Sequence, residues 1–498
     1  MKGLSAPAAV HLETVDSFYA QPRPQRRLSP YYARLLAATY NLLISDADRV
    51  LEVGCGDGTL LARLRGRVRW GVDLSVAQIA AARGRHSGIE FRVGTAESLE
   101  LDTDPFDVIV LSDVLNQVAD VDRVLRQLHA CSHAGTRVLI NIHKTLWRPF
   151  LHLGRALGLA RSVPDGSWLS RRDVANLCWL ADWETFKSFG RIICPLPVPG
   201  VARGANRWLA PLATWPCLAI FLVARRVGLP RRAARRVSVV VPARNEAGNI
   251  RQVVARMPRL ADETEIVFIE GHSQDDTWAE ISALPDRHAH GSIVKLRQSG
   301  RGKANAVIEA FRQASGDILM ILDADLTVPP EDLPKFVDVL VSGKADFANG
   351  VRLVYPLDEQ AMQWANLCAN KAFGVLFSWL LGQSVKDTLC GTKALWRCDY
   401  LRLDANRSYF GDFDPFGDFD LLFGADKLNL RILDVPVRYQ QRTYGQTNIH
   451  RWRHGVLLLR MVLFAARRLK FVQAAPSPVG GRTCRAPEPV PDERRGQR

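Results

Sequence analysis

Two α/β domains in tandem, each built on a doubly wound and mostly parallel sheet, are the fold that the sequence predicts. Three observations predict it. The chain has 498 residues, whereas a single core rarely keeps growing past roughly 250–300 residues. In both halves, short apolar β-type runs alternate with helix-length amphipathic segments, the pattern of stacked βαβ units. Between the halves lies ARRVGLPRRAARR, in which Arg225, Arg226, Arg231, Arg232, Arg235 and Arg236 surround a Gly and a Pro. Such a run reads as solvated and as punctuation, hence as a linker. The expected division is residues 1–228, an Arg-rich linker at 229–236, a second domain at 237–472 and a tail at 473–498. The tail, rich in Pro, Gly, Arg and Glu, lacks the apolar residues for a core and is expected to be disordered.

Composition narrows the class. Hydrophobic residues make up 47% and charged residues 23%, ordinary globular values that exclude a fibrous chain. The nine cysteines are odd in number and contain no CxxC pair, which points to reduced thiols in a cytosolic compartment and away from a disulfide framework or a zinc site. The N-terminal MKGLSAPAAVHLETVD has no apolar h-region, so no secretory signal is expected. Trp208–Val227 comes nearest to a membrane span, but Pro211 and Pro216 interrupt it. A span needs about 20 apolar residues, and a buried strand is expected there instead. Lys and Arg exceed Asp and Glu by 66 to 51, a formal net charge of +15. Nucleic acid, an anionic membrane and phosphorylated substrates would each fit such an excess.

In the first half, RVLEVGCGDGTL is an apolar strand, then Gly54, Gly56 and Gly58, then LLARLRG, expected as a helix. Glycines there allow a tight turn and close approach of a ligand to the backbone. A second strand, VRWGVDLS, ends in Asp73, placed to accept hydrogen bonds from ribose hydroxyls. A third, IEFRVGTAESL, leads to Ala96 and Glu97, and a fourth, FDVIVLSDVLNQV, runs from Asp107 to Ser112 and Asp113.

The order EVGCGDG, GVDLS, GTAESL, FDVIV resembles class I S-adenosylmethionine-dependent methyltransferases over about residues 30–228. The resemblance implies a Rossmann-like domain with S-adenosylmethionine as cofactor. Glu52, Gly54 and Gly56 would bind its methionine part, Asp73 its ribose, and Ala96 with Glu97 would face the adenine. Thr95 departs from the acid common in relatives. NAD would also suit a ribose acid, but the G-x-G-x-G spacing favours the methyl donor. His143, after RVLINI, offers a base for the acceptor's proton, though an ordinary loop histidine is the expectation.

In the second half, VSVVVPARNEAGN is a strand ending at Pro242, followed by Arg244, Asn245 and Glu246. EIVFIEGHSQDDT is a strand ending in Glu270. SGRGKANAVIEAF sets Gly300, Gly302 and Lys303 before a helix, a phosphate-facing arrangement. GDILMILDADLTVPP delivers Asp323 and Asp325 from an apolar strand into a loop. Two carboxylates so spaced suit a hard divalent cation bridged to phosphates, which would offset charge on a nucleoside-diphosphate leaving group.

These segments resemble family 2 glycosyltransferases, with later segments like the dolichyl/polyprenyl-phosphate sugar transferase branch, over about residues 236–470. The resemblance implies a GT-A-type nucleotide-sugar-binding fold. Pro242, Arg244, Glu246, Glu270, Lys303 and Asp323 would bind the nucleotide sugar, GDP- or UDP-linked, and Asp323 with Asp325 would hold Mg²⁺ or Mn²⁺, with Thr327 nearby. Arg352 and Lys371 would orient an acceptor phosphate. Asp387 lies in the pattern D-x-x-x-G-x-K, Asp418 and Asp420 in GDFDLLF, and Arg442, Gly445 and Asn448 in RTYGQTN. By the same resemblance Asp325, Asp387, Asp420 and Arg442 would complete the catalytic set. Glu270–Gly271 stands where relatives often carry an acid pair, which leaves the base open.

The expected activity is thus bifunctional: methyl transfer to an unknown acceptor, and inverting sugar transfer to polyprenyl phosphate. The alternative is transfer to a sugar hydroxyl, with Asp418 or Asp420 as base and the first half modifying the same glycan or serving only as a binding module. His450–Val472, which interleaves Arg with Leu, Met, Val and Phe, suits either an anionic membrane surface or packing on the sheet. A cytoplasmic protein, peripheral at the inner membrane face, is the expected setting. No nucleic-acid partner is expected, since the arginines of the linker lack interleaved aromatics.

Overall fold

The computed structural model describes residues 6–20, 29–157, 168–228, 233–352, 364–405, 419–440, 442, 444 and 451–471. Seven strands form the first sheet: β1 Arg49–Val53, β2 Val68–Asp73, β3 Glu90–Val93, β4 Phe106–Ser112, β5 Ser132–His143, β6 Trp183–Arg191 and β7 Ala219–Arg226. Their order is β3-β2-β1-β4-β5-β7-β6, parallel except that β7 runs antiparallel to β5 and β6. Alternating residues feed two cores. Leu139, Phe221 and Val223 face one side with Tyr40, and Leu51, Phe106, Trp183 and Leu222 face the other.

Eight strands form the second sheet: β8 Arg236–Ala243, β9 Glu263–Glu270, β10 Arg287–His288, β11 Gly291–Arg297, β12 Ile318–Ile321, β13 Phe347–Val351, β14 Lys393–Trp396 and β15 Ile432–Pro436. The order is β10-β11-β9-β8-β12-β14-β13-β15, with β14 antiparallel to both neighbours. Among the parallel strands the order reverses beside β1 in the first sheet and beside β8 in the second. Ligands of such folds bind in the crevice at the carboxyl ends of strands there.

Local expectations are revised in four places. After the glycine turn there is only one short helical turn, Leu61–Arg63, because Gly66 at φ +135° leaves too few residues for a longer helix. Within Trp208–Val227 only Ala219–Arg226 is strand. Pro211 and Pro216 interrupt what precedes it, and Trp208, Leu209, Leu212 and Trp215 are exposed. Strand β8 begins at Arg236, inside the segment expected as linker. Arg225 is buried, not solvated, and is 4% exposed. The tail at 473–498 lies outside the described residues.

Arg225 belongs to a polar interface that joins the halves. Arg137 Nη2 lies 2.6 Å from Asp346 Oδ2, and Arg225 lies 3.7 Å from the same carboxylate. Lys187 pairs with Asp426 at 2.7 Å, and Glu184 bridges Arg225 and Arg431. Arg137 also donates to Asn429 O, and Asn429 donates to Leu43 O. The second domain therefore covers the face of β5, β7 and β6 that carries Arg137, Phe186 and Val223. Charges buried at a junction must be paired, and here each domain supplies what the other needs.

Candidate active sites

In the first domain the glycine turn stands at the carboxyl end of β1. Gly54 has φ +77°, and a Cβ there would sit 2.5 Å from Val114 Cγ2, so only glycine lets the turn pass the chain leaving β4. Gly56 N donates to Asp73 Oδ2 at 2.7 Å and Ser75 N to Asp73 Oδ1 at 2.9 Å, which fixes that acid against the turn. Glu52 is 2% exposed, and its Oε2 has no hydrogen-bond partner among the described residues. Burial, with Asp73 and Asp57 adding, pushes its carboxyl well above the usual range. An orphaned acid of this kind fits a ligand bearing a cationic amine, the methionine end of the expected cofactor.

Ala96 is half-buried past β3. Glu97 is buried, and its Oε1 accepts from Ala119 N at 2.9 Å, so its carboxylate is engaged with the backbone after β4. The helix Ala6–Ala20 leans on the same turns: Tyr19 OH donates to Gln117 Oε1 at 2.6 Å, and Gln78 donates to Tyr19 O. Nothing local in the sequence announces that cover.

His143 is the last residue of β5 rather than a loop histidine. Its Nε2 lies 3.0 Å from Tyr32 OH and 3.6 Å from Asp113 Oδ1. Tyr32 OH donates to Asp113 Oδ2 at 3.1 Å, and Asn141 Nδ2 donates to the other oxygen of that carboxylate. Burial, then the nearby Asp113 charge, raises the Tyr32 phenol well above its ordinary value, so it stays a donor. Asp113 takes φ +54°, rare outside glycine, directly before the Val114 that touches the glycine turn. Tyr32 was not foreseen, since only folding brings it beside residues 81 and 111 positions away.

In the second domain, acids and bases from separate loops meet in pairs beside β8 and β12. Lys303 Nζ lies 2.6 Å from Asp323 Oδ1. Burial alone would raise Asp323, but Lys303 holds it below the usual carboxylate range. A Cβ on Gly391 would fall 2.2 Å from Asp323 Oδ2 and 2.5 Å from Lys303 Nζ, so the glycine of D-x-x-x-G-x-K is where that loop crosses the pair. Arg442 reaches Asp325 at 2.6 Å and Glu246 at 3.3 Å. Burial pushes Glu246 up to about 7 despite Arg442 and despite Asn249 Nδ2, which donates to it at 2.7 Å. Thr327 Oγ1 donates to Asp325 Oδ1 at 2.8 Å. Glu270 is buried and accepts from Ser273 N.

Arg352 forks onto Asp387 through Nε at 2.8 Å and Nη2 at 2.9 Å, and stacks over Tyr439 at 5.1 Å. Asp387 is 0% exposed, so it acts on this site through Arg352. Strand β8 runs one residue past Pro242, to Ala243, and Arg244 is exposed beyond it. Lys371 sits on the exposed side of the helix Trp364–Leu381, and Asp420 in the first turn of Phe419–Lys427. Asp418, Gly445 and Asn448 lie outside the described residues. Asp275, unassigned in the sequence, accepts from Ala247 N and Tyr444 OH and ties the Glu246 turn to the Arg442 segment.

Among the described residues no group of three or more His, Cys, Asp or Glu gathers as a metal cage. Asp323 and Asp325 nonetheless offer hard oxygen donors, and two carboxylates completed by diphosphate oxygens suit Mg²⁺ or Mn²⁺. Cys55, Cys131, Cys178, Cys194, Cys217, Cys390 and Cys398 are free thiols.

Comparisons with known proteins now bear on these sites. Residues 20–187 match a methyltransferase domain model, and residues 238–402 match the model of glycosyl transferase family 2. A dolichol-phosphate mannosyltransferase of Pyrococcus furiosus is 34% identical over 121 residues, which are 24% of this chain and 34% of that protein. An undecaprenyl-phosphate mannosyltransferase of Micrococcus luteus is 28% identical over 227 residues, 43% of this chain and 87% of that protein. The match thus spans about a third of the archaeal relative's length. Among solved structures, an S-adenosylmethionine-dependent methyltransferase of Thermotoga maritima aligns at 20% identity and TM-score 0.32, over 39% of this chain and 88% of that one. Glucosyl-3-phosphoglycerate synthase of Mycobacterium tuberculosis aligns at 21% identity and TM-score 0.34, over 47% and 80%.

Proposed function

Taking as premise that the chain joins a methyltransferase domain to a family 2 glycosyltransferase domain, we propose a bifunctional transferase. One domain moves a methyl group from S-adenosylmethionine, and the other moves a sugar from a GDP- or UDP-linked donor to polyprenyl phosphate. The reading is carried by the meeting of Asp323, Asp325 and Glu246 with Lys303 and Arg442 at the β8/β12 switch point. The names of two relatives, a dolichol-phosphate and an undecaprenyl-phosphate mannosyltransferase, support this acceptor class.

The donor's diphosphate would exchange places with internal partners. Asp323 and Asp325 would hold a divalent cation, and Lys303 and Arg442, paired with them here, would turn to meet the phosphate oxygens. When bound, that cation supplies positive charge against the departing nucleoside diphosphate. Arg352, held by Asp387, and Lys371 present positive charge for an anionic acceptor. A phosphate is already ionised near neutral pH, so no strong base is required, and direct displacement inverts the anomeric carbon. In the first domain Glu52, the Gly54–Gly56 turn and Asp73 would hold the donor, which when bound supplies an electrophilic methyl. With Nε2–H directed at the Tyr32 oxygen, His143 keeps its Nδ1 lone pair for the acceptor's proton.

Incubating the protein with bacterial membranes and a panel of labelled nucleotide sugars tests this. Chloroform-extractable label that disappears with Asp325→Asn supports the reading. Label retained on a water-soluble glycan overturns the lipid acceptor and assigns the hydroxyl alternative. Separately, calorimetric titration of S-adenosylmethionine that shows no binding overturns the methyltransferase half.

A further inference from the structure

Three segments that carry arginines but no acids converge on one surface. No Asp or Glu occurs between Asp122 and Asp165, between Glu184 and Glu246, or between Asp434 and Glu488. The first contains the helix Arg148–Ala156, which follows directly after His143. The second contains the connection from β6 to β7, and the third the last helix, Arg451–Leu469. His143 pairs with Ala219, the first residue of β7, so the first two segments emerge from the same end of the sheet as the glycine turn.

Their apolar side chains point outward. Trp147 and Leu151 pack on the core beside that helix. Leu146, Phe150, Leu153 and Leu157, spaced for one helical face, are 51%, 62%, 58% and 63% exposed. Trp208, Leu209, Leu212 and Trp215 are exposed too, Trp215 at 68%. The two stretches are stitched together: Lys144 Nζ donates to Trp215 O at 2.8 Å, and Trp147 Nε1 to Pro216 O at 2.9 Å. The surface continues into the second domain, where Trp379 Nε1 donates to Pro211 O and the Trp208 ring packs at a tilt against Phe471, centroids 5.1 Å apart. Beyond Phe471, Leu459 and Leu463 of the last helix are exposed while Met461, Val462, Ala465 and Ala466 sit in the core.

Exposed apolar residues gathered in this way mark an interaction site, and arginines with tryptophans and leucines on one face suit a bilayer interface. Among the described residues no helix is long and apolar enough to cross a membrane, so a contact of this kind lies on the surface of the bilayer. We propose that segments 145–157 and 196–216 dock on an anionic phospholipid bilayer, so that the methyl acceptor is a lipid-anchored molecule met at the rim of the first site. The occupant is argued from charge: the two segments carry Arg148, Arg155, Arg203 and Arg207 and contain no Asp or Glu. The acceptor class rests on the methyl-transfer reading above. The docking face rests on exposure and charge alone.

Sedimentation of the full chain with vesicles of 30% phosphatidylglycerol in phosphatidylcholine, and with pure phosphatidylcholine, tests the face. The intact protein should sediment with the anionic vesicles and lose that association at high salt. Phe150→Ser/Leu153→Ser and, separately, Trp208→Ser/Trp215→Ser should each reduce partitioning at least tenfold. Calorimetric titration of S-adenosylmethionine should be unchanged in both, which reports an intact fold. Binding of both variants equal to that of the intact chain overturns the proposal and assigns docking to the last helix alone. No vesicle binding together with a dimer that both variants dissolve also overturns it, the occupant then being a second copy. If the intact chain docks but S-adenosylmethionine does not bind, the methyl-transfer reading falls and the docking face stands. Label from S-adenosylmethionine that stays water-soluble after incubation with membranes overturns the lipid-anchored acceptor.

Discussion

Asp346→Ala should uncouple the two domains. Asp346 is 1% exposed, accepts from Arg137 Nη2 at 2.6 Å and Arg431 N at 2.8 Å, and faces Arg225 at 3.7 Å. Removing one partner of a buried pair costs about 3–5 kcal/mol, because the remaining charge keeps its desolvation cost without its counterion. Two features moderate the loss. Arg137 Nε keeps its bond to Asn429 O at 2.8 Å, and Arg225 keeps Glu184 at 3.1 Å. Roughly 3 kcal/mol, the lower end of that range, is therefore expected. Urea unfolding of the full chain reads it, with limited proteolysis of the segment between β7 and β8 reporting domain separation. Arg137→Ala in the same background should then add little, and the double-mutant cycle should return about 2 kcal/mol or more of coupling. A loss below about 1 kcal/mol, or strict additivity, would refute the claim that this junction is held by paired buried charge.

Three further outcomes can be checked on the sites. Gly391→Ala pushes a methyl against Asp323 and Lys303, so sugar transfer should fall by about 100-fold or more with little change in the unfolding midpoint. A variant with ordinary kinetics would show that the loop yields. Glu52→Gln, which leaves at the orphaned Oε2 position no carboxylate that a cationic amine could ionise and pair with, should weaken S-adenosylmethionine binding by about tenfold or more in calorimetry; unchanged affinity would assign the amine to another group. Glu246, with a folded-state value of about 7 against 4.5 for the free side chain, disfavours its charged form when folded. Its contribution to stability is thus full below pH 4.5 and is lost as pH rises through 7. Glu246→Gln should flatten that part of the stability profile, measured by urea unfolding across this window. A profile identical to that of the intact chain would contradict the burial argument.

The sequence by itself determined what depends on neighbours along the chain. Runs such as RVLEV and DILMI predict strands through their own apolar pattern, Gly54 and Gly56 announce a turn, and the spacing of Asp323 and Asp325 announces paired carboxylates. These are β1, β12 and the loops that follow them. Tertiary structure decided which charges are buried and which apolar residues are not. Arg225 reads as part of a solvated run until Asp346, from the other domain, is set beside it. Trp215 reads as part of a buried strand until Pro216 and the start of β7 at Ala219 leave it in solvent. His143 reads as a loop residue until Tyr32 and Asp113 close on it. The physical reason is common to the three. Desolvation and ion pairing depend on what stands opposite a side chain in space, and an amino-acid sequence orders residues only along the chain.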